Sequence, residues 1–471
     1  MPDRTEIASY VEEQRELLLS LARDIWDNPE LGFAEKRAAD LIAGTLRRAG
    51  FRVRKPVAGI DTAFVAEWGS GAPIVGLLGE YDALPGLSQK VSATREPAEF
   101  NAPGHACGHN LLGVGALGAA LAVQRVMARD GIRGTLRYFG CPAEETLMGK
   151  VFMAREGVFD GLDAVFTWHP MYANTVWGAS SAALNSFKLS FTGRPAHAAS
   201  SPEAGRSALD AVMLTDVGVN YLREHIIPEA RIHCVVTHGG EAPNIVPAYA
   251  QSWYYVRAPK RMQVVEIYER VLNVARGAAM MTDTALDVEL VTACHDYLPN
   301  ETLQAALLRN MEELGPPQFD DADERFAEQL QATLPEGMVR DARSALGLPQ
   351  AGSGDTLCTA VLEDVGTLRK GSVQPVSTDV GDVSQVAPVA QVTACCMPLG
   401  VPLHSWQAVA ACGSSIGYTA MLWVSKVLAL AACDVLLDSG LTKAARDEFV
   451  AATGGKKYEC PIPAELRPPG A

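Results

Sequence analysis

Apolar, strand-like runs alternate with helical patterns up to residue 183, and this alternation restricts the fold more than any other feature of the chain. Strands that alternate with helices form a mainly parallel sheet with helices on both faces. The carboxyl ends of such strands meet at one edge of the sheet, where ligands bind. The predicted strands are Thr62–Trp68, Ile74–Gly79, Gly134–Gly140 and Ala164–Trp168, and the predicted helices are Asn110–Arg129 and Glu145–Glu156.

The pattern changes near residue 184 and indicates a second domain. A length of 471 residues already favours two domains over a single core. Residues 184–294 predict an inserted α+β domain, so residues 1–183 and 295–471 form the two parts of an α/β domain. Residues 316–375 are rich in loops and give no clear pattern. The lipophilic stretch from 416 to 437 contains Lys426 and Asp434, and we interpret it as a buried helix.

The charge of the chain excludes some classes of partner. A formal net charge of -15 argues against binding to nucleic acid or to an anionic membrane surface. The first residues carry charges from Asp3 onward and lack the apolar core of a signal peptide. We therefore expect a cytoplasmic protein that acts on small molecules.

The densest group of reactive side chains lies in the segment HACGHN, residues 105–110. A thiolate and an imidazole are strong ligands for zinc-like metals, and the Cys-x-His spacing places both donors on one turn. Cys107 and His109 are therefore candidate metal ligands. Alternatively, the pair could act as a nucleophile and its base, or Cys107 could be a structural thiol.

Two consecutive carboxylates, Glu144 and Glu145, follow the predicted strand that ends at Gly140. Because neighbouring side chains point in different directions, one carboxylate can bind a metal while the other moves protons. The alternative is an acidic helix N-terminus that the helix dipole stabilises.

Two further histidines follow strand-like runs: His169 in AVFTWHP and His404 in GVPLHSW. A single histidine at such a place is more often a hydrogen-bonded polar residue than a ligand. Together with Cys107, His109 and Glu145, however, these histidines make a set of five donors. That set is too large for one tetrahedral ion and suits two metal ions about 3.5–4 Å apart.

A series of short motifs resembles the aminoacylase, hippurate hydrolase and glutamate carboxypeptidase superfamily of co-catalytic metallopeptidases. Within it, the motifs are most similar to the B-subunit type of p-aminobenzoyl-glutamate hydrolase. The resemblance covers nearly the whole chain. The motifs are, in order, DIWDNPELGFAEKRAADLI, LLGEYDALPGL, GHACGHNLLG, GCPAEE, TWHP, GRPAHAA, APNIVP, STDVGDV and VPLHSW.

The resemblance implies a metal centre. Two divalent ions per subunit would be held by Cys107, His109, Glu145, His169 and His404. The thiolate ligand favours zinc, whereas the resemblance favours manganese. The resemblance also implies a catalytic domain with a small inserted lid that dimerises, in a homodimer or a heterodimer with a related subunit.

The same resemblance implies roles in catalysis and substrate binding. Glu144 would be the general base, and His197 would reach a partner subunit's active site to stabilise the oxyanion. Asn244 and Arg257 match positions that bind the amino-acid carboxylate. The implied reaction is hydrolysis of an N-acyl, and more specifically an N-aroyl, amino acid by metal-activated water. The implied substrate is p-aminobenzoyl-glutamate or a related acyl-glutamate or acyl-aspartate.

Two residues next to these motifs are expected to support the ligands without binding metal. Asp82, at the end of a predicted strand, would orient a ligand, although a purely structural turn is the alternative. His105 lies beside the ligand pair and could act in the same way. The chain departs from the superfamily at Asn110, where many acylase relatives carry an acid, although the B-subunit type also carries asparagine. Residues 330–370 differ too much for any role to be carried over.

Three other functions stay open. The chain could be a non-catalytic partner in a hydrolase complex, although the complete set of donors and the base argue against this. It could also be a dipeptidase or carboxypeptidase on the same scaffold. A cysteine hydrolase that uses Cys107 and His109 is the third alternative.

Overall fold

A computed structural model of the protein describes residues 4–348, 356–363 and 365–470. The helices are α1 (Arg4–Glu13), α2 (Arg15–Asp27), α3 (Lys36–Arg48), α4 (His109–Asp130), α5 (Gly149–Arg155), α6 (Ala208–Leu222), α7 (Arg261–Thr282), α8 (Glu301–Leu314), α9 (Asp321–Gln331), α10 (Met338–Ala345), α11 (Val380–Ser384), α12 (Trp406–Cys412), α13 (Ser415–Leu437) and α14 (Ser439–Thr453). The strands are β1 (Arg52–Arg54), β2 (Phe64–Ser70), β3 (Ile74–Glu80), β4 (Gly134–Cys141), β5 (Ala164–Met171), β6 (Asn174–Val176), β7 (Ser180–Ser181), β8 (Ala183–Thr192), β9 (Arg231–His238), β10 (Tyr249–Ala258), β11 (Ala285–Cys294), β12 (Val361–Leu362), β13 (Val373–Gln374) and β14 (Val389–Cys395).

The larger sheet has eight strands in the order β1-β2-β4-β3-β5-β14-β6-β12. Its centre is parallel, because β3 pairs in parallel with β4 and β5, and β5 pairs in parallel with β14. Antiparallel pairs join β1 to β2, β2 to β4 and β14 to β6. The predicted mainly parallel sheet with flanking helices is therefore confirmed.

Helices cover both faces of this sheet because its strands are apolar on both sides. Neighbouring strand residues point to opposite faces. Leu77 thus belongs to the core cluster that contains α4 and α13, whereas Leu78 belongs to the cluster that contains residues of α5 and α11. Phe166 and Val165 divide between the two clusters in the same way.

Helices α4 and α13 form the centre of the first cluster and are long and apolar enough to cross a membrane by length and composition alone. However, 78% of the most apolar window of α4 and 83% of that of α13 are buried inside the protein. Core helices of this kind meet the same criterion. The interpretation of the stretch from 416 to 437 as a buried helix is confirmed.

A second, wholly antiparallel sheet lies between Ala183 and Cys294 in the order β11-β8-β10-β9. Helices α6 and α7 pack on it and form a separate core cluster. Strand β11 was not predicted as a strand, although Leu286, Val288 and Leu290 alternate with Asp287 and Glu289; most of its first half is exposed. In the unclear stretch 316–375, the structure contains α9 and α10.

Candidate metal centre and substrate cavity

A left-handed turn at Gly108 shapes the HACGHN segment before α4 begins at His109. Gly108 has φ +74°, and a Cβ added to it would lie 2.7 Å from Cγ of Pro170. Only glycine combines this backbone conformation with such a close approach. The segment that carries Cys107 and His109 therefore packs directly against the residue that follows His169.

The loop of His404 is attached to the same turn. The backbone N–H of His404 donates to the carbonyl oxygen of Ala106 at 3.1 Å. His404 also adopts φ +60°, which is unusual for a residue with a side chain. Such a conformation costs about 1–3 kcal/mol and is concentrated at functional sites.

The five predicted ligands come together although they are far apart in the sequence. Their donor atoms form two groups, Cys107/His109/His169 and Cys107/Glu145/His404, and within each group the atoms lie within 4.8 Å of one another. Cys107 Sγ is 3.4 Å from His169 Nε2, and His404 Nε2 is 3.4 Å from Glu145 Oε2. Donors around one tetrahedral ion are separated by about 3.4 Å when each lies about 2.1 Å from the ion.

Two buried donor atoms in these groups, His109 Nε2 and Glu145 Oε1, have no hydrogen-bond partner among the described residues. Buried polar atoms are rarely left without a partner, because the loss of hydration then goes uncompensated. His109 is completely buried, and its other ring nitrogen is already hydrogen-bonded. The donor set therefore fits divalent metal ions.

Asp82 orients two of the candidate ligands. Its Oδ1 accepts a hydrogen bond from His109 Nδ1 at 2.9 Å, and its Oδ2 accepts one from the Glu145 backbone N–H at 2.9 Å. Burial opposes ionisation of Asp82, but the charge and hydrogen bond of His109 hold its pKa below the usual value. Because Asp82 holds the proton on Nδ1, Nε2 is the nitrogen of His109 that would bind a metal once its own proton is displaced.

Burial also shifts the pKa values of the other donors. For His169 the shift favours metal binding, which needs a neutral imidazole. Burial lowers the pKa of His169 to about 4, with a smaller contribution from His109, so the ring is neutral near pH 7. Burial raises the pKa of Glu145 to about 7, although the charge of His109 opposes this. His105 is also buried, and its Nε2 lies 3.1 Å from the carbonyl oxygen of Ile25, which connects the turn to α2.

Glu144 lies beside the ligands in a short helical turn after β4. Its Oε1 accepts a hydrogen bond from the Thr378 hydroxyl at 2.7 Å. Burial, with a smaller contribution from the charge of Glu80, raises the pKa of Glu144 well above its usual value. A carboxyl group with a raised pKa can both accept and return a proton near neutral pH.

Three charged residues that the sequence interpretation missed lie close enough to Glu144 for their charges to act on its carboxyl group. The Lys150 ammonium is 2.6 Å from Glu80 Oε1 and 2.6 Å from Asp379 Oδ1, and all three side chains are almost fully buried. Glu80 Oε2 also lies 3.4 Å from His109 Nε2. An acid at the end of the apolar run LLGE was the available signal for Glu80, but Lys150 has no comparable signal in the sequence.

One cavity of about 430 Å³ connects the metal-binding groups to the second sheet. Arg257 on β10 reaches this cavity, together with Tyr255 two residues earlier on the same face of the strand. Burial lowers the pKa of Arg257, and among the described residues no carboxylate forms an ion pair with it. The other large apolar and aromatic residues of the lining are Leu147, Trp168, Met171, Tyr172, Trp177, Tyr297, Leu346, Leu368, Val376, Val380 and Leu403.

His197 and Asn244 do not line this cavity. Both are exposed and lie close together in loops next to the second sheet, where His197 pairs with Ile245 in an isolated β-bridge. His197 Nδ1 accepts hydrogen bonds from the backbone of Ala199 at 3.2 Å and Ser200 at 3.1 Å. Within a single subunit, the structure therefore places the candidate metal ligands, Glu144 and Arg257 together, but not His197 or Asn244.

Comparison with known proteins supplies independent information. Residues 181–279 match a family described as peptidase dimerisation domain. The chain is 41% identical over 476 residues to the B subunit of p-aminobenzoyl-glutamate hydrolase of Escherichia coli (strain K12), and the match covers 98% of each chain. It is 30% identical over 466 residues to Xaa-Arg dipeptidase of Mus musculus, which covers 94% of this chain and 91% of the relative.

A solved structure agrees at the level of the fold. A dinuclear metal binding peptidase from the M20 family of Bacillus subtilis aligns with a TM-score of 0.59 and 17% identity, over 90% of this chain and 99% of that protein. The resemblance inferred from the motifs is confirmed by the relative that matches over the whole chain. This protein belongs to the M20 family of metallo-hydrolases, together with the B subunit of p-aminobenzoyl-glutamate hydrolase.

Proposed function

We propose that this protein hydrolyses the amide bond of an N-aroyl amino acid, with p-aminobenzoyl-glutamate or a related acyl-glutamate or acyl-aspartate as substrate. The observation that carries the proposal is the shared cavity. Candidate metal ligands, the buried Glu144 and the unpaired Arg257 all face one space of about 430 Å³. That volume is within the range of small-molecule sites.

Arg257 supports an anionic substrate. The half-buried guanidinium has no carboxylate partner among the described residues, and the Ser377 hydroxyl and the Tyr255 ring, 5.1 Å away, compensate its desolvation only in part. A substrate carboxylate would supply the missing charge and could pair with two guanidinium nitrogens at once. The family match to a hydrolase of an acyl-glutamate agrees with this assignment.

The aromatic lining supports an aroyl group. Trp177 lies with its ring centroid 6.5 Å from that of His169 in a tilted, edge-directed arrangement. An amide carbonyl placed at the ligand cluster would therefore bring its acyl substituent close to Trp177 and Tyr172, which also line the cavity. Aromatic side chains favour offset or edge-to-face packing with an aromatic ring.

The reaction can be described by the roles of the protein's own side chains. Two divalent ions, manganese or zinc, held by the five donors would supply Lewis-acid activation of water and of the amide carbonyl. Glu144 accepts the proton of the attacking water and then donates it to the departing amine, so the base is regenerated. Asp82 keeps His109 and Glu145 oriented through this cycle.

Residues 184–294 would act as a lid and dimerisation domain, in a homodimer or in a heterodimer with a related subunit. The family match over residues 181–279 and the naming of the bacterial relative as one of two subunit types support this assembly. His197 and Asn244 are exposed and outside the cavity of their own subunit. We infer that they complete the cavity of a partner subunit, where His197 stabilises the oxyanion and Asn244 binds the carboxylate.

A purified-chain assay tests the proposed function. The chain alone is incubated with manganese or zinc and a panel of aroyl-glutamates, aroyl-aspartates, neutral acyl amino acids and Xaa-Arg dipeptides. Chelator-sensitive release of p-aminobenzoate from p-aminobenzoyl-glutamate is expected. Preferential cleavage of dipeptides would instead favour the dipeptidase alternative, which the match to Xaa-Arg dipeptidase supports. No hydrolysis without a related subunit would favour a non-catalytic partner.

A further inference from the structure

We propose that Ser377 and Thr378 are positioning residues that hold the substrate-binding Arg257 and the base Glu144 in a fixed relation to each other. The proposal rests on the proposed function. Binding of the substrate carboxylate at Arg257 would then place the amide bond at a set distance from Glu144. Neither residue was selected as a functional residue from the sequence, and both line the cavity.

Three consecutive residues of one segment contact three different parts of the site. Arg257 Nε donates to the Ser377 hydroxyl at 3.2 Å, and the Thr378 hydroxyl donates to Glu144 Oε1 at 2.7 Å. Asp379 accepts hydrogen bonds from Lys150 through both carboxylate oxygens. Because the three residues are adjacent, a shift of any one contact is transmitted to the others through only one or two peptide units.

The hydroxyl of Thr378 is directed towards Glu144 by its own surroundings. The backbone N–H of Val380 donates to the same hydroxyl oxygen at 3.3 Å. Because that contact uses the oxygen as an acceptor, the hydroxyl proton is available for Glu144. A hydrogen bond of this kind fixes the carboxyl group at one oxygen. No further partner is found for the other oxygen of Glu144 among the described residues, so it can serve the reaction.

Ser377 orients Arg257 through its hydroxyl, which acts as an acceptor, whereas the Thr378 hydroxyl acts as a donor. It accepts the hydrogen bond from Nε and leaves the two terminal nitrogens of the guanidinium without a partner among the described residues. Those two nitrogens form the fork that binds a carboxylate. Arg257 lies on β10 of the smaller sheet, whereas Glu144 follows β4 of the larger one, so the segment connects both sheets.

The segment is held at both ends, which makes it suitable for positioning. Before it, the Val376 carbonyl oxygen accepts a hydrogen bond from the backbone of Ala182 at 2.8 Å, and β13 pairs in parallel with β7. At the other end of the segment, Asp379 is completely buried against Lys150. A residue that positions a catalytic or substrate-binding group must itself be held in place, because a misplacement of about 1 Å can reduce the rate of catalysis by about 100-fold.

Thr378→Val, Thr378→Ser and Ser377→Ala test the proposal, with the buried but remote Thr215→Val as a control for loss of a hydroxyl. For Thr378→Val we expect kcat for p-aminobenzoyl-glutamate to fall by about 10- to 100-fold, with KM and metal content unchanged. Thr378→Ser, which keeps the donor, should restore kcat to within about 3-fold of wild type. Ser377→Ala should raise KM by about 3- to 10-fold and change kcat little.

Two measurements do not depend on turnover. In the Glu144→Gln background, calorimetry with p-aminobenzoyl-glutamate should show weaker binding for Ser377→Ala and unchanged binding for Thr378→Val. A crystal structure of Thr378→Val should show the Glu144 carboxylate in a different rotamer. Wild-type kcat for Thr378→Val, or an unmoved Glu144 in that crystal structure, would overturn the proposal. If wild type hydrolyses no acyl amino acid, the proposed function fails, and the Glu144 rotamer in the crystal structure still decides the role of Thr378.

Discussion

Cys107 Sγ lies 3.4 Å from His169 Nε2, although 62 positions separate the two residues in the chain. The same thiol also belongs to the group that contains Glu145 and His404. Burial raises the pKa of Cys107 well above its usual value, with a further contribution from Glu145. Its position between two donor groups favours a role as a ligand over that of the nucleophile in a cysteine hydrolase.

Removal of Cys107 should affect both metal positions, whereas removal of a histidine should affect one. We expect Cys107→Ser to lose most of its bound metal. His169→Ala and His404→Ala should each retain about one of the two metal ions per chain. The metal content of the purified variants measures this directly. Cys234→Ser is the control, because Cys234 is exposed and far from these groups in the sequence. Full metal content in Cys107→Ser would contradict the shared-ligand assignment.

Glu144→Gln should separate catalysis from metal binding. Glutamine keeps an oxygen for the Thr378 hydroxyl but cannot accept the proton of water. We therefore expect kcat to fall by about 100- to 10,000-fold at unchanged metal content. The neighbouring Glu145→Gln is the matched control and should lose metal as well as activity. Near-normal turnover by Glu144→Gln would remove this residue from the role of base.

Arg257→Met should weaken recognition of the substrate carboxylate. Loss of a charge-assisted contact worth about 1.5–3 kcal/mol predicts an increase of KM by about 10- to 100-fold. The measurement compares p-aminobenzoyl-glutamate with the corresponding amide that lacks both carboxylates. The variant and the wild-type protein should hydrolyse the carboxylate-free amide equally slowly. An equal loss for both substrates would mean that Arg257 has a general structural role.

Mixed dimers can show whether His197 acts across a subunit interface. Alone, His197→Ala should lose about 100- to 1,000-fold in kcat, as expected when an oxyanion donor is removed. In a heterodimer of His197→Ala and Glu144→Gln chains, one site regains both an intact Glu144 and the partner's intact His197. Co-refolding equal amounts of both variants should therefore restore about a quarter of wild-type activity. Recovery no greater than the sum of the separate variants would place His197 in its own subunit's site.

The stability of the protein should depend on pH through Glu35, a fully buried residue. Its carboxylate accepts hydrogen bonds from the Thr62 hydroxyl at 3.0 Å and the Ala143 backbone at 2.8 Å. Burial, and then the charge of Asp82, raises the pKa of Glu35 to about 8 from an ordinary value of 4.5. Between these values the folded state keeps the proton and the unfolded state releases it, so stability falls as the pH rises through this range and levels off above it.

Glu35→Gln should remove the part of the pH dependence that Glu35 contributes, because glutamine stays neutral in both states, while Glu144, Glu145 and Asp379 keep theirs. The free energy of unfolding, measured in chelator between pH 5 and about 9, should decline less steeply for the variant than for the wild-type protein. Glu16→Gln on the exposed side of α2 is the matched control. Identical slopes for Glu35→Gln and the wild-type protein would show that Glu35 is ionised in the folded state.

The order of residues along the chain was enough to predict the type of chemistry and the main architecture. Strand and helix periodicity predicted the larger sheet, because burial of apolar side chains imposes a regular spacing on each element. The sequence also named a set of candidate ligands, Cys107, His109, Glu145, His169 and His404, and the fold brings their donor atoms close together. The helices of 316–375 were not predicted, because exposure weakens that spacing, and strand β11 was missed although its apolar and polar residues alternate.

The three-dimensional arrangement was needed to show which residues support those chemical groups and which lie elsewhere. Lys150 and Asp379 form an ion pair across 229 positions, and no local pattern can indicate such a pair because each partner is buried only by the fold of the other segment. The same reason applies to Thr378 beside Glu144. The separation of His197 from the cavity of its own chain is likewise a property of how the sheets are arranged in space.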